Sequence, residues 1–171
     1  MHRNRLSKLA DNIDALAEKD DGLLRRTREI ADLRRAAAAN LHATCAGFVD
    51  GLNALLSRTR LSLDPAEYSD VAFREDGPNL LQIHVRGRIV QVQYSATPEL
   101  VSTENFRVPY ILEGSVRCFN QQLLEQDVIR EHLLFYCLEK TGPLWRYFDE
   151  RTYHSGPVDE DYLAGLLEEL V

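Results

Sequence analysis

Residues 6–55 read LSKLADNIDALAEKDDGLLRRTREIADLRRAAAANLHATCAGFVDGLNAL. Apolar residues recur through this stretch at alternating steps of three and four: Leu6, Leu9, Ile13, Leu16, Leu23, Ile30, Ala37, Leu41, Phe48 and Leu55. This is the a/d pattern of a helix that buries one stripe against another helix. Charged side chains such as Arg5, Lys8, Asp11, Asp14 and Glu18 fall outside the stripe. The run Ala36–Ala39 has the highest intrinsic helix propensity available. Lys19-Asp20-Asp21-Gly22 interrupts the pattern, because Asp20 takes an apolar position and Gly22 weakens a helix interior by about 1 kcal/mol relative to Ala. Two readings stand here: one long helix, or a helical hairpin whose second arm is capped by Asp20 or Asp21. The conserved phase of the rhythm favours continuity. Asp20, Thr27 and Arg34, at three successive a positions, make poor knobs for a tight dimer. Helix is predicted from Leu23 to about Ser57, with the later half on the body and the earlier half projecting or paired with another copy.

Thr59–Asp70, containing Asp64-Pro65, reads as a connection. Beyond it the apolar period changes from 3.6 to 2. Leu81, Ile83 and Val85 alternate with polar residues, and so do Val90, Val92 and Tyr94, which predicts an antiparallel hairpin. With Gly87-Arg88 as its loop, Val85 would face Val90, Ile83 would face Val92 and Leu81 would face Tyr94. Val71–Arg74 is a candidate short strand ahead of Asp76-Gly77-Pro78. Phe106, Val108, Tyr110 and Leu112 alternate around Pro109, which suggests an edge strand. Glu113-Gly114 reads as a turn, with Val116–Gln121 returning. Gln122–Glu131 fits either a strand or a short helix. Leu133–Leu138 lacks alternation and reads as a strand covered on both faces. Thr141-Gly142-Pro143 turns it into Leu144–Phe148. Val158, Tyr162, Leu163, Leu166, Leu167 and Leu170 form the apolar face of a closing helix, with Pro157 in its first turn. The expected class is α+β: a long N-terminal helix or helical hairpin packed on an antiparallel sheet of about five to seven strands, with a C-terminal helix. Residues 1–58 form the coiled-coil-like helical segment and residues 59–171 the sheet domain.

Charge is divided unevenly. Residues 1–60 carry eleven Lys/Arg against eight Asp/Glu, a balance of +3, whereas residues 61–171 carry nine against nineteen, a balance of −10. So acidic a body disfavours nucleic acid as the main partner. Arg25, Arg26, Arg28, Arg34 and Arg35 form a cationic cluster that could contact phosphates, but Asp21, Glu29 and Asp32 are interleaved with it. No apolar run reaches the length of a bilayer span, and the N-terminus lacks the apolar core of a secretory signal. Cys45, Cys118 and Cys137 are odd in number and set among apolar neighbours, so they read as reduced thiols in the cytoplasm.

Chemical motifs are sparse. No GxGxxG, P-loop or GxSxG is present. His42 and Cys45 share a helix face, yet no CxxC or HxxxH completes a zinc set, and both read as core. The densest cluster is Trp145, Arg146, Tyr147, Asp149, Glu150, Arg151, Tyr153 and His154; its favoured reading is a strand end with Trp145 and Phe148 or Tyr147 in the core and the charges solvated, with an interface anchor second and an acid–base pairing of Asp149 or Glu150 and His154 rarer still. No catalytic, cofactor-binding or metal-ligating set emerges. The expected function is that of a non-enzymatic adaptor that self-associates or docks a protein partner. Leu9, Ile13, Leu16 and Leu23 would pair the helix, and Trp145, Arg146 and Tyr147 would present a second surface. Two alternatives remain: a small-molecule or enzymatic site between sheet and helix using His84, Asp149 or His154, and a regulator touching nucleic acid through the Arg-rich helix.

Overall fold

The computed structural model describes residues 2–121 and 130–171. Helix α1 spans His2–Asn53 without a break at Asp20–Gly22, so the hairpin alternative is not adopted. It ends at Asn53, short of Ser57, because the Asn53 side chain clamps the chain beyond: its Nδ2 donates to the Leu61 carbonyl and its Oδ1 accepts from Leu61 N. Leu55 therefore lies past the helix and is exposed.

Among the described residues seven antiparallel strands follow as a meander, each paired with the next in chain order. They are β1 Ser62–Asp64, β2 Asn79–Val85, β3 Arg88–Ala96, β4 Tyr110–Asn120, β5 Arg130–Glu139, β6 Gly142–Asp149 and β7 His154–Pro157. Helix α2, Glu160–Leu170, closes the chain. The α+β class and the two-helix, one-sheet arrangement are as the sequence implies.

Several local expectations are corrected. The β2–β3 loop is Arg86-Gly87, so Val85 pairs with Arg88, Ile83 with Val90 and Leu81 with Val92. Both loop residues have positive φ, 48° and 79°. That is the geometry of a two-residue hairpin turn with glycine second, and it shifts the register by two without exchanging faces. Val71–Arg74 is not a strand. Asp70–Ala72 forms a 3₁₀ turn with Val71 exposed, and the Asn79 side chain holds both the N–H and the carbonyl of Arg74. The Thr59–Asp70 connection contributes the edge strand β1, which pairs with β2. Glu113-Gly114 does not turn, and Pro109 does not mark an edge. Strand β4 begins just after Pro109 and runs straight through Gly114 as the central strand. Glycine is needed at 114 because a Cβ there would lie 1.9 Å from the Gln93 carbonyl oxygen on β3. Pro157 ends β7, and the cap of α2 is Asp159, whose Oδ1 accepts from Tyr162 N. Of Gln122–Glu131, residues 122–129 lie outside the described residues, and Arg130 and Glu131 open β5.

The sheet has two unlike faces. One carries Ile83, Val90, Val92, Tyr94, Leu134, Tyr136 and Trp145, all buried. The 34–53 part of α1 lies over it, with Ala37, Leu41, Cys45 and Phe48 buried, and so does the Leu163/Leu166/Leu167/Leu170 face of α2. On the other face Phe106, Tyr110, Phe135 and Cys137 form a small cluster with Leu133 and Phe148 against it. Strand β5 is thus covered on both sides, as its unbroken apolar run implies.

Two compact units are distinguished, residues 1–33 and residues 34–171. No helix among the described residues is long and apolar enough to cross a membrane.

Candidate functional site

Two places in the chain carry features that packing alone does not explain. The first is the helical segment 3–29, whose residues are all exposed. Leu9, Ile13, Leu16 and Leu23 are 53–61% accessible, and Leu6 and Leu24 are similar. Leu6, Leu9, Ile13, Leu16 and Leu23 share one stripe of the helix at three- and four-residue spacing, with Leu24 about 100° round from Leu23 at its side.

The second is a cavity of about 560 Å³ between the end of the sheet and α2. The β5–β6 hairpin turns at Lys140-Thr141 and pairs Leu133 with Phe148, so the same register brings His132 opposite Asp149. Strand β7 then pairs Asp149 with His154. The Asp159 cap sets the first turn of α2 and delivers Tyr162 over the same strands. The rings of Tyr147 and Tyr162 stack at 4.1 Å and 12°, and His132 stacks on Tyr147 at 5.3 Å.

His132 is the pivot of this group. Its side chain is 5% accessible, and its Nδ1 lies 2.8 Å from Tyr162 Oη. Its Nε2 stands 3.6 Å from Asp149 Oδ2, too long for a hydrogen bond, and has no hydrogen-bond partner among the described residues. Burial pushes the imidazole below its ordinary value, with Arg130 and Arg151 acting the same way, while Asp149 and Glu169 oppose them. His132 is therefore neutral at pH 7. Asp149 is held below the usual carboxylate range, first by the Arg151 N–H at 2.9 Å and then by the Thr152 hydroxyl. Its side chain is 11% accessible, and among the described residues no Lys or Arg lies within ion-pair distance of it. Arg130, on the same wall, is engaged by Glu169 at 2.5 Å. Burial raises the Tyr147 and Tyr162 phenols, which stay protonated.

The other residues singled out from the sequence are dispersed. Trp145 is 3% accessible and sits between Tyr94 and Tyr136, so it is a core residue and not a surface anchor. Arg146 is paired with the Glu139 carboxylate, which it holds below the usual range. Tyr147 belongs to the cavity. His84 reaches Gln82 Oε1 at 3.0 Å, and Gln82 reaches Gln91, on the sheet face opposite Asp149. His154 and Asp149 share the cavity wall, yet no hydrogen bond joins their side chains among the described residues. His42 lies 2.8 Å from the Pro65 carbonyl, and Cys45 is a buried thiol whose pKa is pushed up to about 12. Among the described residues no three His, Cys, Asp or Glu side chains are grouped to hold a metal. Within the Arg cluster, Arg34 is buried and committed to protein partners. Its hydrogen bonds to Glu75, Thr97 and the Ile111, Glu99 and Leu100 carbonyls remove it from any phosphate-binding face.

His132, Arg130 and Tyr162 were missed by sequence reasoning. The signal for His132 lay in the hairpin: counting back from a two-residue turn at Lys140-Thr141 sets it across from Asp149.

Fold and sites together define a seven-stranded meander with one helix-clad face, a solvent-facing leucine stripe and an acidic aromatic cavity. Compared with protein-family models, curated proteins and solved structures, the chain matches none.

Proposed function

We propose that this protein is a non-enzymatic adaptor that associates with a second copy of itself through the N-terminal helix. The observation that carries the reading is the exposure of Leu6, Leu9, Ile13, Leu16, Leu23 and Leu24 on one helix. A solvated helix that keeps an apolar stripe in water is marginal by itself, because nucleation is unfavourable and propensity supplies little. Burying the remaining half of each leucine-sized side chain is worth about 1 kcal/mol per residue. A second copy suits the stripe electrically. Residues 1–33 carry seven Lys/Arg and seven Asp/Glu, so two such segments meet no net repulsion. The excess acid resides in residues 34–171, with thirteen Lys/Arg against twenty Asp/Glu. Asp20 and Thr27 break the seam and argue for a modest, exchangeable association and against a permanent zipper. Three free, buried cysteines fit work in a reducing compartment such as the cytoplasm.

The test compares the full chain with a variant carrying Leu9→Ser, Ile13→Ser, Leu16→Ser and Leu23→Ser, by light scattering coupled to size exclusion. The wild type is expected to exceed the monomer mass, and the variant to return to it with an unchanged thermal transition of the sheet. Equal masses for the two chains contradict self-association. A monomeric wild type that captures another protein through the same leucines transfers the stripe to a foreign partner.

A further inference from the structure

We infer that the two copies pair their N-terminal helices antiparallel, with Leu6 of each opposite Leu23 of the other. The inference rests on the self-association proposed above and says how the second copy lies. In the heptad phase of this segment Leu6, Ile13, Asp20 and Thr27 take a positions, and Leu9, Leu16 and Leu23 take d positions. All of them are exposed, whereas the next d residue, Ile30, is 5% accessible within its own chain. The seam open to a partner therefore lies between Leu6 and Thr27. From Leu6 to Leu23 its steps read three, four, three, four, three from either end, so the segment turned end for end matches itself. A second copy thus supplies a partner of the right spacing.

A closed pair of identical helices has a two-fold axis, which leaves a parallel pair in register or an antiparallel pair. In the parallel pair every residue meets its own counterpart, so Asp20 faces Asp20 in the seam and Thr27 faces Thr27. Two carboxylates then share one desolvated layer, and Lys19 at the flank can screen them without parting them. In the antiparallel pair Leu6 meets Leu23, Ile13 meets Leu16 and Asp20 meets Leu9. Four of the six layers are then wholly apolar, and the two Asp20 carboxylates are separated by eleven residues of helix, about 16 Å along the axis. Ala10 and Ala17 hold the flank beside Asp20, where their small side chains leave the carboxylate a way to water. Sliding the partner by one heptad loses this match. In one direction Leu6 falls against the buried Ile30 and Leu9 against Thr27; in the other Asp20 falls against His2 and Leu23 passes beyond it. The arrangement has one cost, since it sets Arg5 against Arg26 on the opposite flank. Both are exposed, and like charges on long solvated side chains repel far less than two carboxylates in a dry seam.

The experiment uses the full chain with one cysteine added, as Leu6→Cys or Leu23→Cys; the native thiols Cys45, Cys118 and Cys137 are buried. Each variant is oxidised alone and in an equal mixture, and disulfide-linked dimer is followed on non-reducing gels beside the wild type. The mixture should link about tenfold faster or more than either variant alone, because like positions stand about 25 Å apart and a disulfide needs Cα atoms within about 7 Å. A second measurement needs no added cysteine. ¹⁵N-labelled Asp20→Lys is mixed with the wild type, and the pairs are counted by native mass spectrometry. Antiparallel pairing keeps the two positions 20 apart, so mixed pairs should form in statistical proportion, whereas a parallel pair brings the new lysine against Asp20 and enriches them. Leu6→Cys linking alone as fast as the mixture, or an excess of mixed pairs, overturns the orientation and leaves self-association standing. No linking in the mixture while the wild type exceeds the monomer mass also overturns the orientation alone. No linking together with a monomeric wild type removes self-association, and the orientation with it.

Discussion

The indole Nε1 of Trp145 donates a 2.9 Å hydrogen bond to the backbone carbonyl of Ala37, 108 residues earlier in the chain. One bond thereby ties the sixth strand to the middle of α1. It also explains why an aromatic residue flanked by Arg and Tyr is not a surface anchor. The ring packs between Tyr94 and Tyr136, and its one polar atom finds a helical carbonyl.

Replacing Trp145 by Phe should therefore lose the bond but keep much of the ring packing, at about 1–2 kcal/mol, whereas Trp145→Ala should cost about 3–5 kcal/mol. Urea denaturation of the two variants gives the comparison, and equal losses would show that the hydrogen bond carries nothing.

Arg34 is the second tie. Its guanidinium donates to the carbonyl of Ile111 at 3.0 Å, to Thr97 Oγ1 and to the Glu99 and Leu100 carbonyls, and pairs with Glu75 at 3.0 Å. Arg34→Met removes the donor from the Leu100 carbonyl, while Thr97 still donates to the Ile111 and Glu99 carbonyls, and should destabilise the fold by about 1–3 kcal/mol. Arg34→Lys should restore little, since one ammonium cannot match a planar five-donor fork. Glu75→Gln, at a half-exposed partner, should cost less than about 1 kcal/mol. Denaturant midpoints for the three variants establish the order.

Glycine positions separate close packing from mere tolerance. Gly114→Ala forces a Cβ onto the β3 backbone and should prevent the central strand from forming. Gly22 has nothing within 4 Å of its built Cβ and sits inside α1, so Gly22→Ala should raise helicity and stabilise by about 0.5–1 kcal/mol. Far-ultraviolet circular dichroism of each variant reports both effects.

His132 makes stability depend on pH. Its folded pKa lies below the unfolded value of 6.5, chiefly through burial, so the unfolded chain binds the proton more tightly. The contribution is complete above 6.5 and is lost as pH falls through the depressed folded value. Urea midpoints measured at about pH 8 and about pH 5 should fall with acidity, and His132→Phe should flatten that fall. An undiminished slope in the variant would assign the effect to other groups.

Much of the architecture was legible because period and turn chemistry agree. Three-and-four spacing gave α1, alternation gave β2 and β3, and the unbroken run at Leu133–Leu138 gave a strand with two covered faces. The errors share a cause, in that local punctuation was read without its tertiary setting. Gly114 looked like a turn because glycine usually marks one, whereas the approach of β3 requires it inside a strand. Gly87 was assigned to the correct hairpin but one place early in its loop, since only the backbone shows that Arg86 also takes positive φ. The cavity stayed hidden because His132, Asp149 and Tyr162 belong to three elements, and no sequence spacing joins them without the strand register.

Sedimentation equilibrium of the unmodified full chain, from low micromolar to submillimolar concentration, tests the exposed stripe most directly. A chain that pairs through Leu9, Ile13, Leu16 and Leu23 should rise with concentration from 19.5 kDa toward at least twice that mass. A mass that stays at 19.5 kDa over the whole range would mean that the stripe remains in water unaccompanied, and would contradict the account.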